Sequence, residues 1–303
     1  MMNTEFMKGV VVPILTVIDG NEKIDEAGMR DQVEYVIKGG VSGILAFGSN
    51  GEFYMVEEDE MERGLRIMVD QAAGRVPVYF GIGAISTKKC CRLARMAVAN
   101  GAAAVSVLQP MFLKPTYAEL YDHFKTIAES VPETPVLLYN NPGRVGYTLS
   151  AQLVEELAHT VPNIVGMKDT ISGMDHTREL IKVVKSQIPS FEIYSGFDDN
   201  FAHNVLAGGN GCIGALSNVV PEVCSAWVRA FRENDLAGIA RGQQTIDRLM
   251  DLYAIRSPFL PVIKEACKLR GVAASSTGTF PMPNATVEDD AKILELLRRE
   301  GVE

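Results

Sequence analysis

No two cysteines in this sequence are spaced C-x-x-C, and the five present, Cys90, Cys91, Cys212, Cys224 and Cys267, are odd in number. A disulfide framework is therefore not expected, and the residues read as reduced thiols in a cytoplasmic protein, mostly small core residues. Histidine is scarce. His123, His159, His176 and His203 are scattered, with no HExxH or similar ligand spacing. A zinc mechanism has little support on that pattern, and neither a metal nor a cofactor is expected. Long hydrophobic runs are missing too. Stretches such as Gly9–Ile14 are strand-sized and far short of a membrane span. Met1–Lys8 has no apolar segment after a basic start, so no secretory signal is read there. The 29 basic residues, against 38 acidic ones, nowhere form a cluster, which sets nucleic acid aside as a partner. A net charge of −9 does not exclude a small anionic substrate, provided the site itself is locally basic.

What is present is repetition. Short apolar runs at Gly9–Leu15, Gly43–Phe47, Val76–Gly81, Ala103–Leu108, Val136–Asn140, Asn163–Lys168, Phe191–Ser195 and Gly211–Ala215 alternate with helix-like segments. The helical segments are about 25–38, 57–73, 86–100, 116–130, 149–160, 174–187, 199–207 and 220–233. Thr116-Tyr117-Ala118-Glu119 fits a capping box, Ser86 and Ser150 fit N-caps, and Gly39-Gly40 and Asn100-Gly101 fall where helices should stop. Strict alternation implies parallel strands with crossover helices, and eight units is the number that closes a (β/α)8 TIM barrel. The rival, an open doubly wound sheet, lacks its G-x-G-x-x-G after the first strand; Gly81-Ile82-Gly83-Ala84-Ile85-Ser86 is an incomplete match. Beyond residue 234 the alternation ends, and 235–254, 257–270 and 286–299 read as helices. The expected organisation is a barrel over 1–234 with a C-terminal helical extension over 235–303.

Barrel enzymes carry their chemistry at the C-terminal ends of the strands. The sixth run ends in Lys168, on the face of Gly166 and Ile164 if the strand is regular. In an apolar lumen, desolvation disfavours an ammonium, and a neutral amine can attack a ketone to form an imine. A lysine that snorkels to solvent is the plain alternative. Tyr139, at the end of the fifth run, fits a proton shuttle or equally a packed tyrosine. Arg144, after a Pro-Gly turn, could grip a carboxylate or simply be solvated. Gly48-Ser49-Asn50-Gly51 could converge backbone and side-chain donors on an anion, or be an ordinary turn. Asp198 and Asp199 could accept from sugar hydroxyls, or cap the helix that follows them.

Taken together, Gly48-Ser49-Asn50-Gly51-Glu52, Tyr139-Asn140-Asn141-Pro142 and Gly166-Met167-Lys168-Asp169-Thr170 resemble the dihydrodipicolinate synthase/N-acetylneuraminate lyase family in order and spacing. The resemblance implies a (β/α)8 barrel, usually tetrameric, in which Lys168 forms an imine with pyruvate and Tyr139 shuttles the proton. Ser49 and Asn50 would hold the pyruvate carboxylate, and Gly48, Thr170, Gly196 and Ile213 complete the implied substrate-binding set with Arg144, Asp198 and Asp199. The family usually has Thr or Ser where Asn50 stands. Phe112 falls where the synthases carry a relay tyrosine, and Ala215 where the neuraminate lyases use a serine. Arg144 falls where the synthases hold their second substrate. Met167-Lys168-Asp169-Thr170-Ile171, Gly196-Phe197-Asp198-Asp199 and Ser257-Pro258-Phe259 most resemble the 2-keto-3-deoxygluconate aldolase branch, which implies cleavage to pyruvate and an aldehyde. Synthase and dehydratase chemistry on the same imine stay open as alternatives. Because imine chemistry needs no metal, turnover should be unchanged in excess chelator; loss of activity that returns on adding a divalent cation would contradict this.

Overall fold

The computed structural model describes residues 7–273 and 275–303; residues 1–6, most of the stretch read above for a leader, lie outside the described residues. Eight parallel strands pair in chain order, and the last pairs with the first, so the barrel is closed. They are β1 (Gly9–Pro13), β2 (Gly43–Ala46), β3 (Val78–Ile82), β4 (Ala104–Leu108), β5 (Val136–Asn140), β6 (Ile164–Asp169), β7 (Glu192–Ser195) and β8 (Gly211–Cys212). The helices between them are α1 (Glu26–Lys38), α2 (Glu58–Ala72), α3 (Thr87–Ala99), α4 (Tyr117–Glu129), α5 (Pro142–Val145), α6 (Ala151–Thr160), α7 (Asp175–Leu180), α8 (Phe201–Leu206), α9 (Leu216–Val219) and α10 (Pro221–Glu233). The extension holds α11 (Leu236–Leu249), α12 (Leu260–Leu269) and α13 (Val287–Glu300). No helix among the described residues is long and apolar enough to cross a membrane.

The expected strands and long helices are all present, most ends shifted by a residue or two; β8 stops three residues short of Ala215, and the segment expected over 174–187 continues past α7 as a π-helical stretch, Ile181–Lys185. Thr116 and Glu119 form the expected capping box, and Ser86 and Ser150 accept from the backbone of Lys89 and Leu153. The short α5 and α9 were not expected. Each is a single turn with almost no periodicity to reveal it, and both sit in loops at the mouth of the barrel.

Each strand sends one side chain into a central layer: Val11, Leu45, Tyr79, Ala104, Leu137, Val165, Tyr194 and Ile213, the last just beyond β8. The opposite faces of the strands pack on the helices in a larger core. Strand β6 departs from simple alternation. Its register against β5 runs Val136 to Ile164 and then Leu137 to Gly166, so Val165 is an extra, bulged residue. Ile164 therefore joins Met167 in the outer core, while Val165 faces the lumen. Lys168 keeps Gly166 on its side but not Ile164, which corrects the regular-strand expectation. Gly166 has a packing role. A Cβ there would lie 2.5 Å from the Glu192 carbonyl oxygen and 2.7 Å from Leu137 Cδ2, so the glycine admits neighbouring strands and not a ligand.

The extension is fastened to the barrel by an apolar cluster that includes Cys212, Trp227, Ile246, Leu249, Ile263, Ile293 and Leu297. It is fastened also by a buried ion pair. Glu52, fully buried at the end of the Gly48–Gly51 loop, meets Lys264 of α12, and accepts from both the backbone N–H and hydroxyl of Thr279 at 2.9 and 2.8 Å. Glu52 holds φ +59°, a left-handed conformation that this anchoring maintains. Lys264→Met would leave a buried carboxylate unpaired, and should cost about 3–5 kcal/mol in urea unfolding. A loss of only a few tenths would show that Glu52 finds another partner.

Candidate active site

At the C-terminal mouth, β5 and β6 stand side by side with Tyr139 in register with Lys168. The Lys168 side chain is 2 % exposed, and its Nζ lies 4.5 Å from the centre of the Tyr139 ring. In its ammonium form, a lysine over an aromatic face is attracted by the ring's quadrupole. The Tyr139 hydroxyl accepts from Asn141 Nδ2 at 2.9 Å and lies 3.4 Å from Ser49 Oγ. Burial by itself would push the phenol up; the Lys168 charge and the bonds from Ser49 and Asn141 outweigh it and hold the phenol below its ordinary value of 10. A phenol so poised can give up and take back a proton.

The loop after β2 closes the site from the opposite wall. Ser49–Gly51 forms a single 3-10 turn that follows Gly48, and Asn50 is buried. The fixed left-handed Phe47 and Glu52 on either side set where this turn points. Thr170 follows β6, and its backbone N–H donates to the Asn140 carbonyl at 2.9 Å. Its hydroxyl packs on Gly196, where a Cβ would lie 1.8 Å from the oxygen; only glycine fits there. Ile213 is fully buried in the lumen layer, beneath the mouth. Arg144 is exposed, carried on α5 beyond β5. Phe112, at φ +68°, is 94 % exposed on the β4–α4 loop.

The two acids after β7 part company. Asp198 is buried, and both its oxygens are engaged: one accepts the Leu216 N–H at 3.2 Å and the other the Tyr253 hydroxyl at 2.7 Å. It satisfies the start of α9, the helix after β8, and not α8, which directly follows it; Asn200 stands at the start of α8 without a side-chain capping bond, its amide donating instead to the Ile171 carbonyl at 3.2 Å. Burial pushes the Asp198 carboxyl up to about 6, reinforced by Asp199, while Tyr253, Leu216 and Lys168 oppose the shift. Asp199 is half-buried, its carboxyl raised by burial and by Asp247.

Several site residues carried no assigned role in the sequence. Asn141 lay inside a quoted motif, yet the bond to the Tyr139 hydroxyl belongs to it. Behind the pair runs a polar lattice. Gln109 at the end of β4 accepts from the Asn141 N–H at 3.0 Å and donates to Asn140 Oδ1 at 3.0 Å. Asn140 in turn donates to Asp169 Oδ1 at 2.8 Å. Asp169 also receives Thr177 Oγ1 at 2.7 Å and His176 Nδ1 at 3.1 Å. The alternation of strand faces could have flagged Asn140 and Asp169 as partners, since each follows a residue of the Lys168–Tyr139 pair; Gln109 and His176 had no such signal.

The Asp198 shift has a sign that can be checked. Its folded value of about 6 lies above the ordinary 3.8, so the folded state binds more protons between those limits and stability falls as pH rises through them. Asp198→Asn should flatten that slope and raise stability near pH 7 by on the order of 1–3 kcal/mol. Urea midpoints at several pH values measure it, and an unchanged slope would assign the dependence elsewhere.

The model of the dihydrodipicolinate synthetase family matches residues 6–299. The chain is 33% identical to the "Putative 2-dehydro-3-deoxy-D-gluconate aldolase YagE" of Escherichia coli (strain K12), covering 98% of this chain and 97% of that protein. The crystal structure of YagE in complex with pyruvate superposes with a TM-score of 0.95, over 98% of this chain and 99% of that one. The "Probable 2-dehydro-3-deoxy-D-pentonate aldolase YjhH" of the same organism is 34% identical over 97% of each chain. A 4-hydroxy-tetrahydrodipicolinate synthase of Thioalkalivibrio sulfidiphilus (strain HL-EbGR7) is 36% identical, covering 97% of this chain and 98% of that one. With its closed barrel, and a family model that runs over nearly its whole length, the chain belongs to the dihydrodipicolinate synthetase family and is a class I, lysine Schiff-base carbon–carbon lyase.

Proposed function

We propose that this enzyme cleaves a 2-keto-3-deoxy sugar acid to pyruvate and a hydroxyaldehyde, with Lys168 as the imine-forming residue and Tyr139 as the proton shuttle. The observation that carries the assignment is the pairing of a buried amine with a phenol, Nζ 4.5 Å from the ring centre, at the mouth of the barrel. The substrate class is supported by the YagE and YjhH names, by alignment over nearly the full chain, and by Phe112, which has no hydroxyl to offer a synthase-type relay.

Lys168 Nζ attacks the C2 ketone, and loss of water leaves an iminium. The cation accepts the electron pair of the C3–C4 bond as that bond breaks. Tyr139 removes the proton from the C4 hydroxyl, so C4 departs as an aldehyde and C3 becomes an enamine carbon. A proton returned to C3 restores the iminium, and water then releases pyruvate and the free amine. Ser49 and Asn50 hold the substrate carboxylate, with Gly48, Thr170, Gly196 and Ile213 shaping the walls. Arg144 and Asp199 are assigned to the distal, hydroxylated end. Asp198, with both oxygens engaged, orders the loop that carries Asp199.

A homotetramer is part of the proposal, as is the division into a barrel over 1–234 and an extension over 235–303. The synthase reading, condensation of pyruvate with aspartate semialdehyde, is favoured by Arg144 and by relatives such as the 36% identical synthase of Thioalkalivibrio sulfidiphilus. Pyruvate release from 2-keto-3-deoxygluconate, followed with chelator present, separates the two. Wild type should release pyruvate, and Lys168→Ala should neither release it nor be trapped by borohydride. Tyr139→Phe should turn over roughly 10²–10⁴ times more slowly. Trapping without cleavage in wild type would move the function to synthase or dehydratase chemistry; equal trapping by Lys168→Ala would remove the lysine from its role.

A further inference from the structure

The ring of His176, at the start of α7, lies against two acceptors and no donor. Its Nδ1 is 3.1 Å from both oxygens of Asp169, and its Nε2 is 2.8 Å from the Leu149 carbonyl oxygen. A neutral imidazole has one N–H and one lone pair, so either tautomer would aim a lone pair at an acceptor. Only the imidazolium donates at both ends. The charged groups facing the ring are Asp169, from β6, and Glu179, one turn further along α7; the segment leading into α6 contributes the Leu149 carbonyl. Burial works against the charged ring, but Asp169, the Leu149 carbonyl and Glu179 outweigh it and raise the ring above its ordinary 6.5.

The place of this pair in the fold gives it a task. Asp169 is 1 % exposed and is the next residue after Lys168, on the opposite face of β6. Unpaired, its carboxylate would hold a full negative charge in a dry layer beside the amine, and would favour the ammonium over the nucleophilic amine. The same carboxylate receives Asn140, whose neighbour Tyr139 stands opposite Lys168 across the β5–β6 register. We propose that His176 is held as a doubly donating imidazolium beneath the Lys168–Tyr139 pair and is a positioning residue for it. Its charge cancels that of Asp169, and its grip orients the carboxylate through which Asn140 fastens β5 to β6. This rests on the assignment of Lys168 as the imine-forming residue.

Nitrogen-15 NMR of the histidine rings in the wild-type enzyme decides the protonation state. With His123→Gln, His159→Gln and His203→Gln used to assign the remaining signal, His176 should keep two protonated nitrogens to a higher pH than an ordinary histidine does. A ring that bares one nitrogen at no higher pH than an ordinary histidine overturns the proposal. The positioning role is read in the pH profile of pyruvate trapping by borohydride and in kcat against KM. In His176→Gln the acid limb of trapping should move to higher pH, and kcat should fall roughly tenfold to a hundredfold with KM little changed, as expected when reacting groups are misplaced without loss of binding. Adding Asp169→Asn to His176→Gln removes both charges and should return the limb toward wild type, which a loss of structure would not do. An unshifted limb in His176→Gln, or a double variant no better than the single one, overturns the role of His176. Absence of trapping in wild type overturns instead the assignment of Lys168.

Discussion

An amine that is 2 % exposed inside a closed barrel is the constraint to which the rest of this structure answers. Water cannot solvate it, so its environment must be supplied by fixed groups. The Tyr139 ring supplies a negative face, and the phenol's own hydroxyl is held by Ser49 and Asn141. Eight residues, one per strand, fill the layer beneath and leave the amine a single direction, toward the mouth. The bulge at Val165 is part of the same solution. It lets β6 place an apolar side chain in the lumen layer and, three residues later, a lysine on the same face.

A set of polar groups behind the pair is hydrogen-bonded together. Asn140, Gln109, Asp169, His176 and Thr177 form one connected lattice on the outer side of the strand ends. Such networks stabilise a unique geometry when complete and are costly when partly satisfied. The extension takes part as well. Lys264 holds Glu52 behind the Gly48–Gly51 loop, and Tyr253 holds Asp198 at the far wall. The helices after residue 234 thus reach two walls of the mouth, and a catalytic face built by strand ends depends on residues well outside the barrel.

The fold was legible because its signals are local and repeated. Alternation of apolar runs and capped helices is fixed by backbone hydrogen bonding and side-chain burial within each segment, and eight repeats leave little choice of closure. The placement of Lys168 and Tyr139 was legible for the same reason: each lies next to the last residue of its strand, and barrel strands end at the mouth. Asp198 was not. Its local setting fits a cap for α8, yet it binds the N–H of Leu216, eighteen residues away, and a tyrosine from the extension. The role of Gly166 was not legible either, because the room it leaves is filled by β5 and β7.

The sequence by itself determined the strand and helix order, the barrel, the family motifs and the strand-end positions of Lys168 and Tyr139, all of which follow from periodicity and short-range spacing. Only the tertiary structure decided which groups face one another across the barrel. It set the bulge in β6, since register is a relation between strands. It made Glu52–Lys264, Asp198–Tyr253 and Asp169–His176 into pairs. The first two join residues far apart in the chain, and in the third a β6 residue meets α7 only after the chain has turned at the mouth. Charge and hydrogen-bond balance in a buried site is a property of the assembled neighbours, and no local pattern in a chain encodes it.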